Sequence, residues 1–205
     1  MPMDQEALAS EIADALESKD GPTKEIKGLA KALVTVIKGG IFNHALVNGS
    51  CGPGGPIQAG GAEGGIIVLP GAAALPLDIA GALGTSPTPQ ILGLANGFAT
   101  HIQTGLVSFK TGGITGTCAN SATTPGPVVG AGQNGQIMGL SDAALAQLWN
   151  APLQGPSKQI EKMAKVVVEY FSKEAVGSYV MGSVTGVAPP GGGPIVAAGV
   201  GGMFS

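Results

Sequence analysis

A short block recurs three times along this chain, and that repetition constrains the fold more than any single motif. Pro22-Thr23-Lys24-Glu25-Ile26 returns as Pro87-Thr88-Pro89-Gln90-Ile91 and again as Pro156-Ser157-Lys158-Gln159-Ile160, at spacings of 65 and then 69 residues. Self-similarity at a fixed period marks a chain built by stacking one supersecondary unit. Each copy leads into the same apolar spacing: i, i+3, i+4, i+7, i+8 and i+11. In the first it is carried by Ile26, Leu29, Ala30, Leu33, Val34 and Ile37. In the second it is Ile91, Leu94, Ala95, Phe98, Ala99 and Ile102, and in the third Ile160, Met163, Ala164, Val167, Val168 and Phe171. That period gives an amphipathic helix whose apolar stripe faces a core. Thr23, Thr88 and Ser157 stand where a hydroxyl can cap the helix, and Pro89 takes the first helical position, where a missing N–H costs nothing. Glu25, Gln90 and Gln159 lie two residues past the cap, one short of a capping box.

Two further blocks follow each helix in the same order. The first reads Val47-Asn48-Gly49-Ser50-Cys51, Ile114-Thr115-Gly116-Thr117-Cys118 and Val184-Thr185-Gly186-Val187-Ala188. The second reads Gly55-Pro56-Ile57, Gly126-Pro127-Val128 and Gly193-Pro194-Ile195, and a Gly-rich stretch then closes each unit at Gly65-Ile66, Gln136-Ile137 and Gly202-Met203. Gly49, Pro56, Gly116, Pro127, Gly186 and Pro194 are the repeated loop positions. Gly and Pro held in register imply a specific backbone path with tight turns, which a flexible linker would not preserve. A short helical lead-in precedes each long helix: Asp4 to Ser18, about Asp78 to Leu83, and about Ser141 to Trp149. The units are therefore 1–66, 67–138 and 139–205, packed as one domain around a pseudo-threefold. The expected fold is mainly α, three tandem helix–loop repeats with large irregular Gly/Pro-rich loops and little β, at most one short strand at the I/V-T/N-G step. The core side chains of the repeat are Ile26, Leu29, Leu33, Ile91, Leu94, Phe98, Ile160, Met163 and Val167.

Composition decides whether such a chain is ordered. With 36 Gly and 15 Pro it could pass for low complexity, yet 44% of it is hydrophobic and 11% charged. Disordered chains show the reverse balance, so this one is expected to fold. Charge is unevenly spread: seven of the thirteen acids lie between Asp4 and Glu25, whereas Gly39 to Ser157 holds only Glu63, Asp78, Lys110 and Asp142. Soluble monomers carry charge on roughly a quarter or more of their surface residues. So long a stretch with so little charge implies a surface covered by other copies of the chain, by other subunits or by lipid. There is no arginine and the net charge is -3, which excludes a nucleic-acid partner. The first twenty residues are acidic and amphipathic, unlike a secretory leader. The apolar stretch from Ile66 to Leu83 is broken by Pro70, Pro76 and Asp78, so no membrane span is expected.

Catalytic and cofactor chemistry finds few residues. Gly130-Ala131-Gly132-Gln133-Asn134-Gly135 matches G-x-G-x-x-G, but Pro125 and Pro127 precede it and position 155 is Gly155, not the required acid. It reads as a repeated structural loop. Cys51 and Cys118 match in units one and two, with Ala188 in the third. Two thiols make no zinc site; they are either small buried residues or, in an oxidising setting, a disulfide if the units share an axis. His44 and His101 occupy non-equivalent places, read as ordinary helix or helix-end residues. No nucleophile–base pair is present, Trp149 serves as an anchor for its lead-in helix, and no enzyme, cofactor, metal or small-molecule substrate is expected.

The closing run Val184-Thr185-Gly186-Val187-Ala188-Pro189-Pro190-Gly191-Gly192-Gly193-Pro194 resembles the Gly/Pro-rich tails of small virion proteins of tailed bacteriophages. That compositional resemblance implies a tail, baseplate, neck or capsid-decoration component, made in the host cytoplasm and carried in the virion, with copies of itself or other virion subunits as partners. The expected function is that of a structural, assembly-forming component acting through buried low-charge surfaces. The alternative is a membrane-interacting or pore-lining protein.

Overall fold

The computed structural model describes residues 3–59, 65–153 and 155–205. Residues 60–64, the Gly-rich run with Glu63 near the end of the first unit, lie outside that set. Of the described residues 42% are helical and 32% are strand. The expectation of a mainly α chain with little β therefore fails. The long helices stand where the periodicity put them, but the Gly/Pro blocks after them are strands, not irregular loops.

Each third of the chain gives a pair of helices and then strands. The helices are α1 (Gln5–Ala15) and α2 (Lys24–Lys38), α3 (Leu75–Ala82) and α4 (Pro89–Thr104), α5 (Asp142–Asn150) and α6 (Lys158–Glu174). After the first pair come β1 (Ile41–Val47), β2 (Gly49–Cys51), β3 (Pro56–Ala59) and β4 (Gly65–Val68). After the second come β5 (Leu106–Ser108), β6 (Ile114–Cys118) and β7 (Gly126–Met138), and after the third β8 (Val176–Ala188), β9 (Gly193–Pro194) and β10 (Val196–Phe204). The chain separates into two compact units by element type: the helices, in stretches ending at Gly40, Thr104 and Ala175, and the strands, in stretches beginning at Ile41, Gly105 and Val176.

In the helical unit each helix packs on the next, and α6 returns to α1. Thr23 accepts the Ile26 N–H and Thr88 the Ile91 N–H, both at 3.3 Å. Ser157 does not cap; its hydroxyl donates to Gln159 Oε1 at 3.1 Å instead. The shorter helices start on Asp4 and Ser141, whose side chains accept from Glu6 and Ala144 N–H. Leu33, Ile91, Phe98, Met163 and Val167 are buried, and the Phe98 and Phe171 rings meet at 5.5 Å. Ile26, Leu29, Leu94 and Ile160 are only half-buried. Trp149 is buried, and its indole N–H donates to Leu94 O at 2.9 Å, fixing α5 on α4.

In the strand unit each third forms one long antiparallel hairpin: β1/β2 with β3/β4, β5/β6 with β7, and β8 with β9/β10. The second and third sequence blocks meet across the hairpins, with Cys51 opposite Ile57, Cys118 opposite Val128 and Val187 opposite Val196. Between hairpins the pairs run in a cycle: Pro56 with Thr117, Pro127 with Val187, and Pro194 with Ser50. The last pair joins the third hairpin to the first, so the sheet closes into a six-stranded antiparallel barrel.

The interior of so narrow a barrel is filled by side chains. Ile41, Leu106 and Val176 hold the same register place in the three hairpins, opposite Met203, Ile66 and Gln136. Three residues on from them stand His44, Phe109 and Tyr179, whose ring centroids are each 5.7 Å from the other two. Phe42 packs on Tyr179 at 4.9 Å and on Phe204 at 5.2 Å. Glycines make room for these rings: a Cβ at Gly135 would lie 2.8 Å from Phe109, at Gly177 2.9 Å from Phe42, and at Gly199 2.6 Å from Tyr179. Gly130 to Gly135, which matched the dinucleotide motif, is part of β7, with a bulge at Asn134 (φ 60) where Gln133 and Asn134 oppose Ser178 alone.

Candidate interaction surface

The strand unit is nearly free of charge, and its outer face mixes apolar side chains with uncharged polar ones such as Gln58, Thr115, Thr117 and Thr185. Lys110 is its one charged residue among the described residues, and every other described charge lies in the helical unit. Twelve large apolar side chains on these strands are exposed, led by Val196 (71%), Met181 (68%), Val200 (64%) and Ile66 (62%). They come from all three hairpins and expose on the order of 1,000 Å² between them, beside the ~800 Å² that each partner buries in a standard interface. Their position follows from the pleat. In β7, Gly126, Val128, Gly130 and Gly132 are buried while Pro127 and Val129 are exposed, a strict alternation. Pro56, Pro127 and Pro194 are all exposed, where a missing N–H and a rigid ring are tolerated.

Gly49, Gly116 and Gly186 serve close strand approach. A Cβ on Gly49 would lie 2.8 Å from Ala59 Cα; on Gly116 it would meet Val129 O, and on Gly186 Val196 O. The same step of each unit thus needs glycine for the same reason.

The tips of the hairpins hold a polar hub. Asn120, 4% exposed, accepts the Gly54 N–H at 3.0 Å and donates to Pro189 O at 2.6 Å, joining all three tips. The Cys118 thiol has Asn120 Oδ1 at 3.0 Å, Gly52 O at 3.2 Å and Gly55 O at 3.3 Å within donating reach. Burial first, then the neighbouring Cys118 thiol, pushes the Cys51 thiol up to about 11. The structure places both cysteines at the hairpin tips, on strands β2 and β6 with β3 between them, and both are free thiols.

Of the two histidines, only His101 lies on a helix as expected. His44 lies on a strand, 1% exposed, with Nδ1 2.7 Å from Tyr179 Oη and Nε2 2.7 Å from Val107 O. A carbonyl can only accept, so Nε2–H donates to Val107 O, while Nδ1 and the Tyr179 hydroxyl share a hydrogen bond. Burial raises the Tyr179 phenol far above its ordinary value. The pair is enclosed by the barrel and serves packing. His101, on α4, accepts the Ser141 N–H at 3.2 Å, and burial lowers its imidazole below the usual range. That lone acceptor ties α4 to the cap of α5.

A cleft of about 680 Å³ is lined by Met3, Asp4, Lys38, Tyr170 and Glu174. Two of its polar groups are engaged within the helical unit: the Tyr170 hydroxyl binds the Asp4 backbone at 2.6 Å, and the Asp4 carboxylate caps α1. Among the described residues no group of three or more His, Cys, Asp or Glu is placed to hold a metal ion, and no helix is long and apolar enough to cross a membrane. Sequence reasoning named neither the exposed valines and methionines nor Asn120. The one signal for the former was the alternation of Val-Val and Gly in the blocks; Asn120 carries no sequence signal. No protein-family profile, curated protein or solved structure matches this chain.

Proposed function

We propose that the chain is a structural subunit that assembles through the outside of its strand barrel, in a large particle. The observation that carries this reading is the set of twelve exposed apolar side chains on strands whose described residues carry a single charge, Lys110. Exposed apolar surface of this extent marks a partner surface, since water contact with it is unfavourable at roughly 25 cal/mol per Å². The partners are further copies of the chain or other subunits of the same particle. A phage virion is the setting that the Gly/Pro-rich closing run suggests. The charged helical unit is the part that stays in water. A pore-lining role is disfavoured because rings and aliphatic side chains fill the barrel interior.

Sedimentation of the purified chain beside a Val196→Asp/Val200→Asp variant tests the proposal. Both positions are exposed, so the fold tolerates the change. The parent chain is expected to sediment as large species and the variant as a monomer of equal thermal stability. Equal sedimentation of the two as monomers, or flotation of the parent with phosphatidylcholine vesicles, would contradict it.

A further inference from the structure

We infer that the third hairpin carries a self-association face, on which two copies of the chain pack β8 and β10 against β8 and β10 across a two-fold axis. The inference rests on the reading that protein covers the outside of the barrel. It starts from a difference between repeats. Thr117 faces Val129 and Ile114 faces Gly132 in the second hairpin, as Val187 faces Val196 and Val184 faces Gly199 in the third. This shared register matches the outward places one by one. Val180, Met181, Val187 and Val200 stand where the second hairpin has Lys110, Thr111, Thr117 and Gln133. All eight are exposed. Packing inside the barrel makes no demand on exposed side chains, so an apolar set gathered on one hairpin answers to something outside it.

The apolar places adjoin. Pro127, Val187 and Val196 lie in one row across β7, β8 and β10, and Val129, Thr185 and Ala198 lie in the next. Neighbours in such a row have Cβ atoms roughly 5 Å apart. Beyond the rows the hairpin bulges, with Tyr179 to Ser183 of β8 opposing Val200 to Gly202 of β10, and Val180, Met181 and Val200 stand exposed there. Val180, Met181, Val187, Val196 and Val200 expose on the order of 500 Å², and with Val129, Thr185 and Pro127 the face approaches the ~800 Å² that each partner gives to a standard interface. Val176 to Ser205 contains no charged residue, so laying this face on its own copy brings no like charges together. A two-fold contact uses the same patch on both copies and closes at two. The barrel is closed, so the copies meet face to face through side chains and not by strand addition. The pair is then the building unit of the particle.

The experiment compares two threonines that hold the same place in their hairpins. Thr115 follows Ile114 and Thr185 follows Val184, each before a glycine, and both are exposed. Thr115 pairs with Gln58 and Ala131, and β7 separates its strand from β8. Thr185 lies within the proposed face. Aspartate burdens the fold alike at the two places, so Thr115→Asp and Thr185→Asp should melt together. Sedimentation velocity of the purified full chain over a dilution series reads the association. Thr115→Asp should match the parent. Thr185→Asp, which sets two like charges in one contact, should need at least ~100-fold higher concentration to associate. Thr185→Asp mixed with Thr185→Lys should recover the parent's behaviour, because opposite charges then meet. An unchanged Thr185→Asp, or an equal loss in Thr115→Asp, would overturn the third-hairpin face and leave assembly through the barrel standing. A mixture that does not recover would mean that the face meets another surface, which overturns the two-fold pairing. A parent that stays monomeric at every concentration would overturn the assembly reading and this inference together.

Discussion

Gly116→Ala separates two physical accounts of the glycines by the sign of its effect. If these glycines were only weak strand formers, alanine would restrict the unfolded chain and stabilise the protein by about 0.5–1 kcal/mol. The structure requires the opposite. A Cβ at Gly116 would meet Val129 O, lie 2.6 Å from Gly130 Cα and 2.9 Å from Ile57 Cδ1. Two of those three atoms are backbone of β7, which is paired with β6 at this step and with β8 beyond, so neither can yield without breaking a ladder. Overpacking against side chains costs about 1–3 kcal/mol, and a backbone obstacle puts the change at the top of that range, about 3 kcal/mol. For a chain of this length that lowers Tm by ~6–12 °C. Urea unfolding followed by far-ultraviolet circular dichroism measures it. Gly81→Ala is the matched control: Gly81 lies within α3 with nothing within 4 Å of an added Cβ, and alanine there should stabilise by about 0.5–1 kcal/mol. A Gly116→Ala protein within 0.5 kcal/mol of the parent, or more stable than it, would refute the close-approach argument.

Three further outcomes follow from the same geometry. Asn120→Ala removes the only described side chain that bonds to the tips of the first and third hairpins, and should cost about 2–4 kcal/mol in urea unfolding because the Gly54 N–H and Pro189 O lose their partner. Tyr179→Phe removes the hydroxyl that reaches both His44 Nδ1 and Gly199 O, and should lower stability by about 1–3 kcal/mol with the barrel still formed by circular dichroism. His101 has a folded pKa below its unfolded value, so the unfolded chain binds the extra proton and stability falls as pH drops through about 6.5. The unfolding midpoint of a His101→Gln protein should change less between pH 7 and pH 5.5 than that of the parent.

The helices were legible because their signal is local. The recurring stripe, Thr23 and Thr88 at the caps and Pro89 at the first helical position each act within one turn, so the sequence alone places them. The strands were not legible because their cause is distant. Gly135, Gly177 and Gly199 are poor strand formers by propensity, yet each stands where Phe109, Phe42 or Tyr179 leaves no space for a side chain. The apolar–polar alternation that usually betrays a strand was hidden, because many of its buried places are glycines and many of its exposed places are valine, proline or methionine. The repeated order of blocks was visible, but not that the Gly-Pro block of one unit pairs with the Cys or Val block of the next, as Pro56 does with Thr117 and Pro194 with Ser50. For the candidate surface, low charge was the whole of the sequence signal. The outward places of Val196, Val200 and Met181 depend on register and on the bulge in β8, where Tyr179 to Val184 oppose only Gly132 to Gly130.

The size of the native species that carries this chain, measured by sedimentation of the cells or particles in which it is made, tests the assembly reading most directly. The account predicts that the chain travels with a megadalton particle, and that Val196→Asp/Val200→Asp leaves the folded chain behind at the top of the gradient. A parent chain found as a free monomer or small oligomer would contradict the account, because the apolar face of the barrel would then stand in water without a partner.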